Sequence, residues 1–230
     1  MQSRKSTIIL LVSFFIGLSV LLYPSFSSYW NSKTQSEAIV DYEAMLAAYK
    51  PEDYSALFEA ADRYNASLAA MDNPFREYSA LEKDYWDILD VSGTGMIGYL
   101  TVPKIGQELP LYHGTSDAVL AIAAGHMQGT SLPVGGTNTN CVIAGHRGYS
   151  GADYFKHLDL LKEGDSVQLV TLWNTLNYTV SEMKIIEPYE VEQILIQEGR
   201  ELLTLLTCHP YASGGRYRYI VFCERSYETI

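Results

Sequence analysis

The sequence predicts a mainly β domain, a barrel or a sandwich, that follows a helical region and one N-terminal membrane helix. Three observations predict this order: an uncharged N-terminal run, a middle stretch with apolar residues at helical spacing, and a long part built of short β-branched and aromatic runs. The texture changes at the stretch "SGTG" (92–95). We therefore expect an anchor at 1–30, a helical segment with a loop at 31–90 and the β domain at 91–225.

The N-terminal run carries no charge from residue 7 to residue 26 and follows Arg4 and Lys5. About 20 apolar residues span a bilayer as a helix. A cleaved signal peptide has a shorter apolar region and a small-residue cleavage site, which "SFSSYW" matches poorly. Since positive residues stay in the cytoplasm, we expect a single uncleaved anchor in the cell membrane and an extracellular domain after it.

The balance of charge excludes some partners. Of the 230 residues, 16 are Lys or Arg and 27 are Asp or Glu, a formal net charge of −11. Such an acidic chain is a poor ligand for nucleic acid and for anionic lipid headgroups. The sequence has no C-x-x-C pair and no H-E-x-x-H motif, so we expect neither a metal nor a cofactor.

Residues 34–70 have the spacing of two amphipathic helices, separated by Pro51. The apolar positions of the two helices are Ile39, Tyr42, Leu46 and Tyr49, then Tyr54, Leu57, Phe58, Ala61 and Tyr64. A turn around Pro74 follows, and residues 80–91 predict one more helical piece.

The β domain contains seven strand-like runs separated by Gly, Pro, Asn and Asp. Many short strands with such turn residues are typical of a barrel or a sandwich. The runs are 96–105, 109–114, 137–146, 164–171, 177–186, 202–208 and 217–224.

Cys208 ends one of these runs and is a candidate nucleophile. A thiolate is nucleophilic when a histidine or arginine stabilises it, but a buried inert thiol is the alternative. Cys141 and Cys223 lie inside strand-like runs, where small core residues are expected. A disulfide between these two is possible in an extracellular domain, although their spacing does not require one.

His146 is the candidate base among five histidines, because it ends an apolar run and opens into a glycine loop. A structural role for His146 is the alternative. His209 is adjacent to Cys208, but side chains of neighbouring strand residues point to opposite faces. His113 and His126 fit a loop or the core, and His157 fits a surface turn.

Two arginines follow Cys208 on the next strand-like run. Arg216 and Arg218 are two residues apart and share one face. Fixed cationic donors stabilise the negative charge that develops on a carbonyl oxygen during acyl transfer. A solvated sheet edge is the alternative explanation.

Several motifs in order carry a resemblance to the class C sortases, membrane-anchored transpeptidases that polymerise pilins in Gram-positive bacteria. The segments "TLLTC" (204–208) and "AGHRG" (144–148) fit the nucleophile and histidine signatures of sortases, and Pro210 and Tyr211 follow as is typical. The likeness runs from about residue 90 to residue 225. The stretch "LLYPSFSSYWNS" (21–32) is similar to the membrane exit of class C enzymes.

The resemblance implies a closed eight-stranded β-barrel with Cys208 as nucleophile and His146 as acid and base. The arginine of the family begins a strand written R-hydrophobic-hydrophobic-V, which only Arg218 in "RYIV" fits. The implied chemistry is attack on the Thr–Gly bond of an LPxTG-like sorting signal. A thioester forms, and a lysine amine of the next pilin subunit resolves it.

The resemblance also implies a lid. Class C enzymes carry an Asp-Pro-aromatic tripeptide before the barrel, whose ring covers the nucleophile and whose Asp reaches the arginine. Here "DNPF" offers Asp72, Asn73, Pro74 and Phe75, with Asn73 at the Asp position. We expect a hydrogen bond to the arginine without a charge pair. An ordinary turn with Phe75 in the core is the alternative.

Three other functions compete with pilin polymerisation. A housekeeping sortase would join proteins to the cell wall, and a cysteine protease would use water in place of the amine. A non-catalytic membrane-anchored pilus adaptor would not need Cys208. Class C chains often end in a second membrane helix, and this sequence ends in the polar stretch "ERSYETI" (224–230).

Overall fold

The computed structural model describes residues 2–77, 81, 85–149 and 152–227. Its helical N-terminal part consists of α1 (Gln2–Ala48), α2 (Pro51–Ala69) and the short α3 (Pro74–Glu77). The predicted helix break is confirmed, because α1 ends before Pro51 and α2 begins there. One difference is that the apolar run and the first amphipathic helix form a single continuous helix.

The predicted helix at 80–91 is the least successful part of the helical prediction. Residues 80 and 82–84 lie outside the described residues. Residues 86–90 form turns and bends rather than a helix, so the prediction is wrong for them. One reason is that His113 holds the carbonyl of Ile88 with its ring nitrogen, which gives that segment a tertiary partner.

Eight strands form a closed barrel in the order β1-β2-β3-β4-β7-β8-β6-β5, as expected. Neighbouring strands are antiparallel except for the parallel pairs β2–β3 and β4–β7. A further short helix, α4 (Asp117–Leu120), lies between β2 and β3. The strands are β1 (Met96–Val102), β2 (Gln107–His113), β3 (Ala124–His126), β4 (Thr139–Ala144), β5 (Ser166–Val170), β6 (Thr175–Ile186), β7 (Glu201–His209) and β8 (Tyr217–Arg225).

The two long helices pack on the barrel through both apolar and polar contacts. Ile39 and Tyr42 of α1 are buried in the main core. Asn65 of α2 forms two hydrogen bonds with the backbone of Leu132, one as donor and one as acceptor, at 3.1 and 2.7 Å. These contacts hold the helical region against the barrel wall.

Side chains on β4, β7 and β8 alternate between two apolar clusters. Cys141, Ile143, Leu203, Leu205 and Val221 face the barrel interior. Their neighbours face the other way and form what we call the outer cluster on the outside of the barrel. The outer cluster consists of Val142, Ala144, Ile186, Ile194, Leu202, Leu206, Ile220 and Phe222.

The possible disulfide between Cys141 and Cys223 is absent, and both thiols are free and buried. Each cysteine pairs with Leu203, one from β4 and one from β8, so strand β7 lies between them. Two strand spacings are about 9.6 Å, well beyond the ~6.8 Å that a disulfide allows between Cα atoms. Burial raises the pKa of both thiols, as expected for core cysteines.

Candidate active site

Cys208 and Arg218 are cross-strand partners at one end of the antiparallel pair β7–β8. Both side chains are half-buried. Leu206 and Ile220, two residues away along each strand, also pair and belong to the outer cluster. Because residues two apart on a strand share a face, Cys208 and Arg218 lie on the outside of the barrel, at the end of the outer cluster.

The parallel pair β4–β7 brings His146 to the same place. Ala144 pairs with Leu206, and the pairing continues past the end of β4. The Gly145 N–H donates to the Leu206 carbonyl at 3.1 Å, and the Thr207 hydroxyl donates to the Gly145 carbonyl at 2.8 Å. Two residues beyond the pair Ala144–Leu206, the same register places His146 beside Cys208. The side chain of His146 is half-buried, like that of Cys208.

Gly215 lies where the thiol and the guanidinium converge. A Cβ atom added to Gly215 would stand 3.3 Å from Cys208 Sγ and 3.2 Å from Arg218 Nη1. Gly215 also has a φ of +82°, which favours glycine. Arg218 Nη1 donates to the carbonyls of Gly215 at 2.8 Å and Tyr217 at 3.1 Å. The loop before β8 therefore holds the guanidinium next to the thiol.

Arg216 lies outside this arrangement. Its side chain is exposed, and its guanidinium carbon lies 5.8 Å from the centre of the Tyr217 ring. Arg218 is therefore the arginine that the structure brings together with Cys208 and His146.

Two neighbours set the environment of His146. The Tyr149 ring stacks on the imidazole, with ring centres 4.7 Å apart and an interplanar angle of 21°. Burial lowers the pKa of His146, and the negative charge of Asp117, at the start of α4, opposes that effect. The neutral imidazole, which can accept a proton, is thereby favoured.

The remaining histidines have other partners. His113 and His126 are buried, which agrees with the core position and not with the loop position offered for them above. His126 Nε2 donates to the Ser131 carbonyl at 2.8 Å, and its Nδ1 lies 2.9 Å from the Tyr85 hydroxyl. His157 is at the surface, 3.9 Å from Asp153.

The segment predicted as a lid lies over the face that carries the site. Pro74 is buried, and the half-buried ring of Phe75 packs against the outer cluster. Asn73 Oδ1 accepts a hydrogen bond from the Phe75 N–H at 3.1 Å, which caps α3. The expected hydrogen bond from Asn73 to the arginine is not among the contacts of the described residues, since Arg218 uses the carbonyls of its own loop. Asp72 is exposed.

Sequence analysis missed several residues around the site. Gly215 could have been found, because a Gly-Gly pair between a candidate nucleophile and a candidate arginine indicates a close backbone approach. Asp117 and Tyr149 gave no comparable signal. Among the residues that the structure describes, no group of three or more His, Cys, Asp and Glu side chains is arranged to hold a metal ion.

Comparison with known proteins agrees with this geometry. Residues 100–226, more than half of the chain, match the sortase domain family. The chain therefore belongs to the sortase family, whose members are cysteine transpeptidases that act on LPxTG-type signals.

Individual relatives fall into more than one class of sortase. Sortase D of Bacillus subtilis (strain 168) is 28% identical over 211 residues, which cover 91% of this chain and 93% of that protein. Sortase A of Streptococcus agalactiae serotype III (strain NEM316) is 32% identical over 117 residues, which cover 49% of this chain and 47% of that protein.

The solved structures that resemble the chain include class C sortases, as the sequence motifs indicate. Sortase C1 from Streptococcus agalactiae has a TM-score of 0.77 and 34% identity, and covers 84% of this chain and all of that one. Sortase C of Streptococcus pneumoniae has a TM-score of 0.75 and 35% identity, and covers 84% of this chain and 98% of that one.

Proposed function

We propose that the protein is a pilin-polymerising cysteine transpeptidase with Cys208 as nucleophile, His146 as acid and base, and Arg218 as oxyanion donor. One observation carries the proposal: the end of β7, the start of β8 and the segment after β4, about 60 residues earlier in the chain, meet at one place and bring these side chain types together. A binding module or pilus adaptor would not need a thiol, an imidazole and a guanidinium at that place.

The chemistry follows from the positions of the three groups. Neutral His146 takes the proton of the Cys208 thiol. The resulting thiolate attacks the threonine carbonyl carbon of an LPxTG-like signal, and the carbonyl oxygen becomes negatively charged. Arg218 donates hydrogen bonds to that oxygen, where fixed donors stabilise the transition state most. When the Thr–Gly bond breaks, His146 gives its proton to the departing glycine amine, and the acyl group stays on sulfur as a thioester.

The second half of the reaction reverses these roles. A lysine amine attacks the thioester, neutral His146 takes the proton that the amine loses, and the Cys208 thiolate leaves. The product is an isopeptide bond between two pilin subunits. Hydrolysis follows the same route when water replaces the amine.

The outer cluster offers a surface for the apolar part of the signal. Ala144, Leu206 and Ile220 lie two residues from His146, Cys208 and Arg218, on the same face. The Leu-Pro part of an LPxTG-like signal is apolar, so this surface suits it. Phe75 packs against the outer cluster, and we propose that it must move before a substrate binds.

The comparisons bear on the choice of acceptor. One of the similar class C structures is described as informative on pilin substrate specificity, and another is called pilus-related. These descriptions favour a pilin lysine as acceptor. The near full-length match to a Sortase D favours a second candidate, a sortase with a different amine acceptor.

The location proposed for the reaction is the outer face of the cell membrane. Helix α1 is long and apolar enough to cross a membrane, and none of its apolar stretch is buried in the protein. We propose that this segment is the single anchor, with Arg4 and Lys5 in the cytoplasm and the barrel outside.

The test is mass spectrometry of the full chain in detergent after mixing with an LPxTG-type peptide. We expect an adduct on Cys208 with the mass of the acyl part that ends in threonine, and release of the glycine fragment. Cys208→Ala is the control and should form none. A wild-type chain that forms neither adduct nor fragment would contradict the transpeptidase proposal.

The acceptor is tested in a second step. Pilin subunits with and without their surface lysines replaced by arginine are added to the acyl-enzyme. Polymer that needs a pilin lysine supports the pilin class. Transfer to other amines, but not to pilin lysines, would support the second candidate.

A further inference from the structure

We infer that a cluster centred on the buried Arg147, and completed by Asp159, His209 and Tyr219, positions the three residues of the site. We call these four residues the Arg147 cluster. None of them is expected to touch substrate, so the inferred role is positioning rather than catalysis. The inference rests on the proposed function for the meaning of the site, but the contacts of the cluster stand on their own.

Arg147 is the centre of the cluster. It is a buried residue, with only 7% of its side chain exposed. Its Nη2 donates to Asp159 Oδ2 at 2.5 Å, and its Nη1 donates to Nδ1 of His209. Its guanidinium carbon lies 6.0 Å from the centre of the Tyr219 ring, which also stacks on His209 at 5.8 Å. One side chain therefore connects the ends of β4, β7 and β8 with the 3₁₀ turn that holds Asp159.

The place of the cluster in the sequence carries the inference. Arg147, His209 and Tyr219 each follow directly after one of the three site residues, His146, Cys208 and Arg218. His209 and Tyr219 lie in strands, where consecutive side chains point to opposite faces, so they face away from Cys208 and Arg218. Arg147 follows the end of β4 and reaches both of them with its guanidinium. Each contact inside the cluster thus fixes the backbone on which a site residue stands.

The chemistry of the contacts makes the arrangement specific. A guanidinium has planar, fixed donors, so two of its nitrogens can hold two partners at a set angle, which a lysine cannot reproduce. A guanidinium only donates, so in its contact with Arg147 the Nδ1 atom of His209 is the acceptor. A buried arginine without its partners would be costly, so the four residues act as a unit.

Positioning of this kind affects rate more than binding. A displacement of about 1 Å in a reacting group can cost on the order of 100-fold in rate. The outer cluster, which we propose as the substrate surface, lies on the face of the sheet opposite to Tyr219 and His209. Loss of the Arg147 cluster should therefore lower kcat and leave KM within about twofold.

The chain offers a matched control at the opposite end of the same two strands. Arg225, the last residue of β8, pairs with Glu201, the first residue of β7, at 3.1 Å. Their side chains are 14% and 8% exposed, and Arg225 also lies over two aromatic rings, those of Tyr178 and Tyr227. Arg225→Met removes a similar ion pair far from Cys208.

The experiment compares the full-length wild type with Arg147→Met, Arg225→Met, His209→Leu and His209→Asn. The readouts are Tm, peptide acylation kinetics, and the rate at which iodoacetamide labels Cys208, all at a temperature where every variant is folded. We expect both arginine variants to have a lower Tm than the wild type. Only Arg147→Met and His209→Leu should lose kcat, by about 100-fold and about 10-fold, and label Cys208 several-fold more slowly.

His209→Asn is the rescue variant, because the Asn side chain oxygen can accept the Arg147 hydrogen bond in place of Nδ1. It should keep most of the wild-type kcat. The His209 pair also covers the case in which Arg147→Met fails to fold. Equal labelling of Cys208 in Arg147→Met, Arg225→Met and wild type, or in both His209 variants and wild type, would overturn the inference. The labelling result decides it even if wild type forms no acyl-enzyme, an outcome that would contradict the proposed function alone.

Discussion

Cys208 and Arg218 are directly opposite each other on the antiparallel strands β7 and β8, and Gly215 lies beside both side chains. Opposite residues of an antiparallel pair have Cβ atoms roughly 5 Å apart. Backbone pairing thus brings the two side chains together, and the loop before β8 contacts both of them through Gly215.

Gly215→Ala should damage the site more than the fold. A Cβ atom there would press on Cys208 Sγ and Arg218 Nη1, and the positive φ adds about 1–2 kcal/mol of strain. Gly214→Ala is the matched control, because Gly214 has a φ of +70° with nothing within 4 Å of its added Cβ. We expect the two variants to lower Tm by similar amounts. The rate of peptide acylation should fall by about tenfold or more in Gly215→Ala only. Equal acylation by the two variants would contradict this reading of the loop.

Arg218→Ala should lower the acylation rate by roughly 100- to 1000-fold, the usual cost of losing one oxyanion donor. Arg218→Lys should restore little of it, because the planar fork of donors is lost. Arg216→Ala should stay within about threefold of wild type, since Arg216 is exposed over the Tyr217 ring. Steady-state kinetics on the three variants check this, and an inactive Arg216→Ala beside an active Arg218→Ala would reverse the assignment.

Phe75→Ala should speed the labelling of Cys208 by iodoacetamide, because the ring packs against the outer cluster and we propose that it restricts access to the thiol at the end of that cluster. Asn73→Ala should also speed it, by about fivefold, since loss of a helix cap costs about 1 kcal/mol. Asn73→Asp keeps the cap, adds the family's charge and should slow labelling. Asp72→Asn is the control at the exposed neighbouring position. If all four variants label at the wild-type rate, the segment does not cover the site.

Acid should destabilise the protein well above the pH at which most carboxylates titrate. Burial lowers the pKa of His126 to about 3, from an ordinary value near 6.5, and lowers that of His113 as well. Between those two values the unfolded chain binds more protons than the folded one. Stability is therefore complete above about pH 6.5 and falls on acidification, by up to about 1.4 kcal/mol per pH unit for each such histidine.

Urea unfolding at several values between pH 7.5 and 5 checks this slope. The variant His126→Gln should flatten the dependence on pH, although it lowers stability overall. His157→Gln should leave the slope unchanged, because His157 is partly exposed at the surface. A slope that is the same in wild type and His126→Gln would exclude His126 as its cause.

Much of the barrel could be predicted from local pattern, and its failures have physical reasons. All seven strand-like runs contain a strand. The eighth strand, β3, has only three residues, Ala124–His126, of which Ala and Gly are depleted in strands and give little β signal. Its pairing with β2 and β4 makes it a strand, which is tertiary information.

The site divides in the same way. Motifs indicated Cys208, His146 and Arg218, because the residue types and their neighbours are specific. The partner of Asn73 and the separation of Cys141 from Cys223 depend on strand order and on competition between nearby hydrogen-bond partners. Neither property is written in the spacing of residues along the chain.

Helix α1 runs without a break from its apolar segment to the point where Ile39 enters the barrel core. At about 1.5 Å per residue, the stretch from Phe26 to Ile39 measures roughly 20 Å. A continuous helix of this kind is a rigid spacer, whereas a flexible linker would let the barrel move relative to the membrane. With the apolar segment in the membrane as proposed, the site around Cys208 stays at a fixed distance from the lipid surface. A sorting signal must then lie at that distance from the membrane, so its position selects substrates before any side chain contact does.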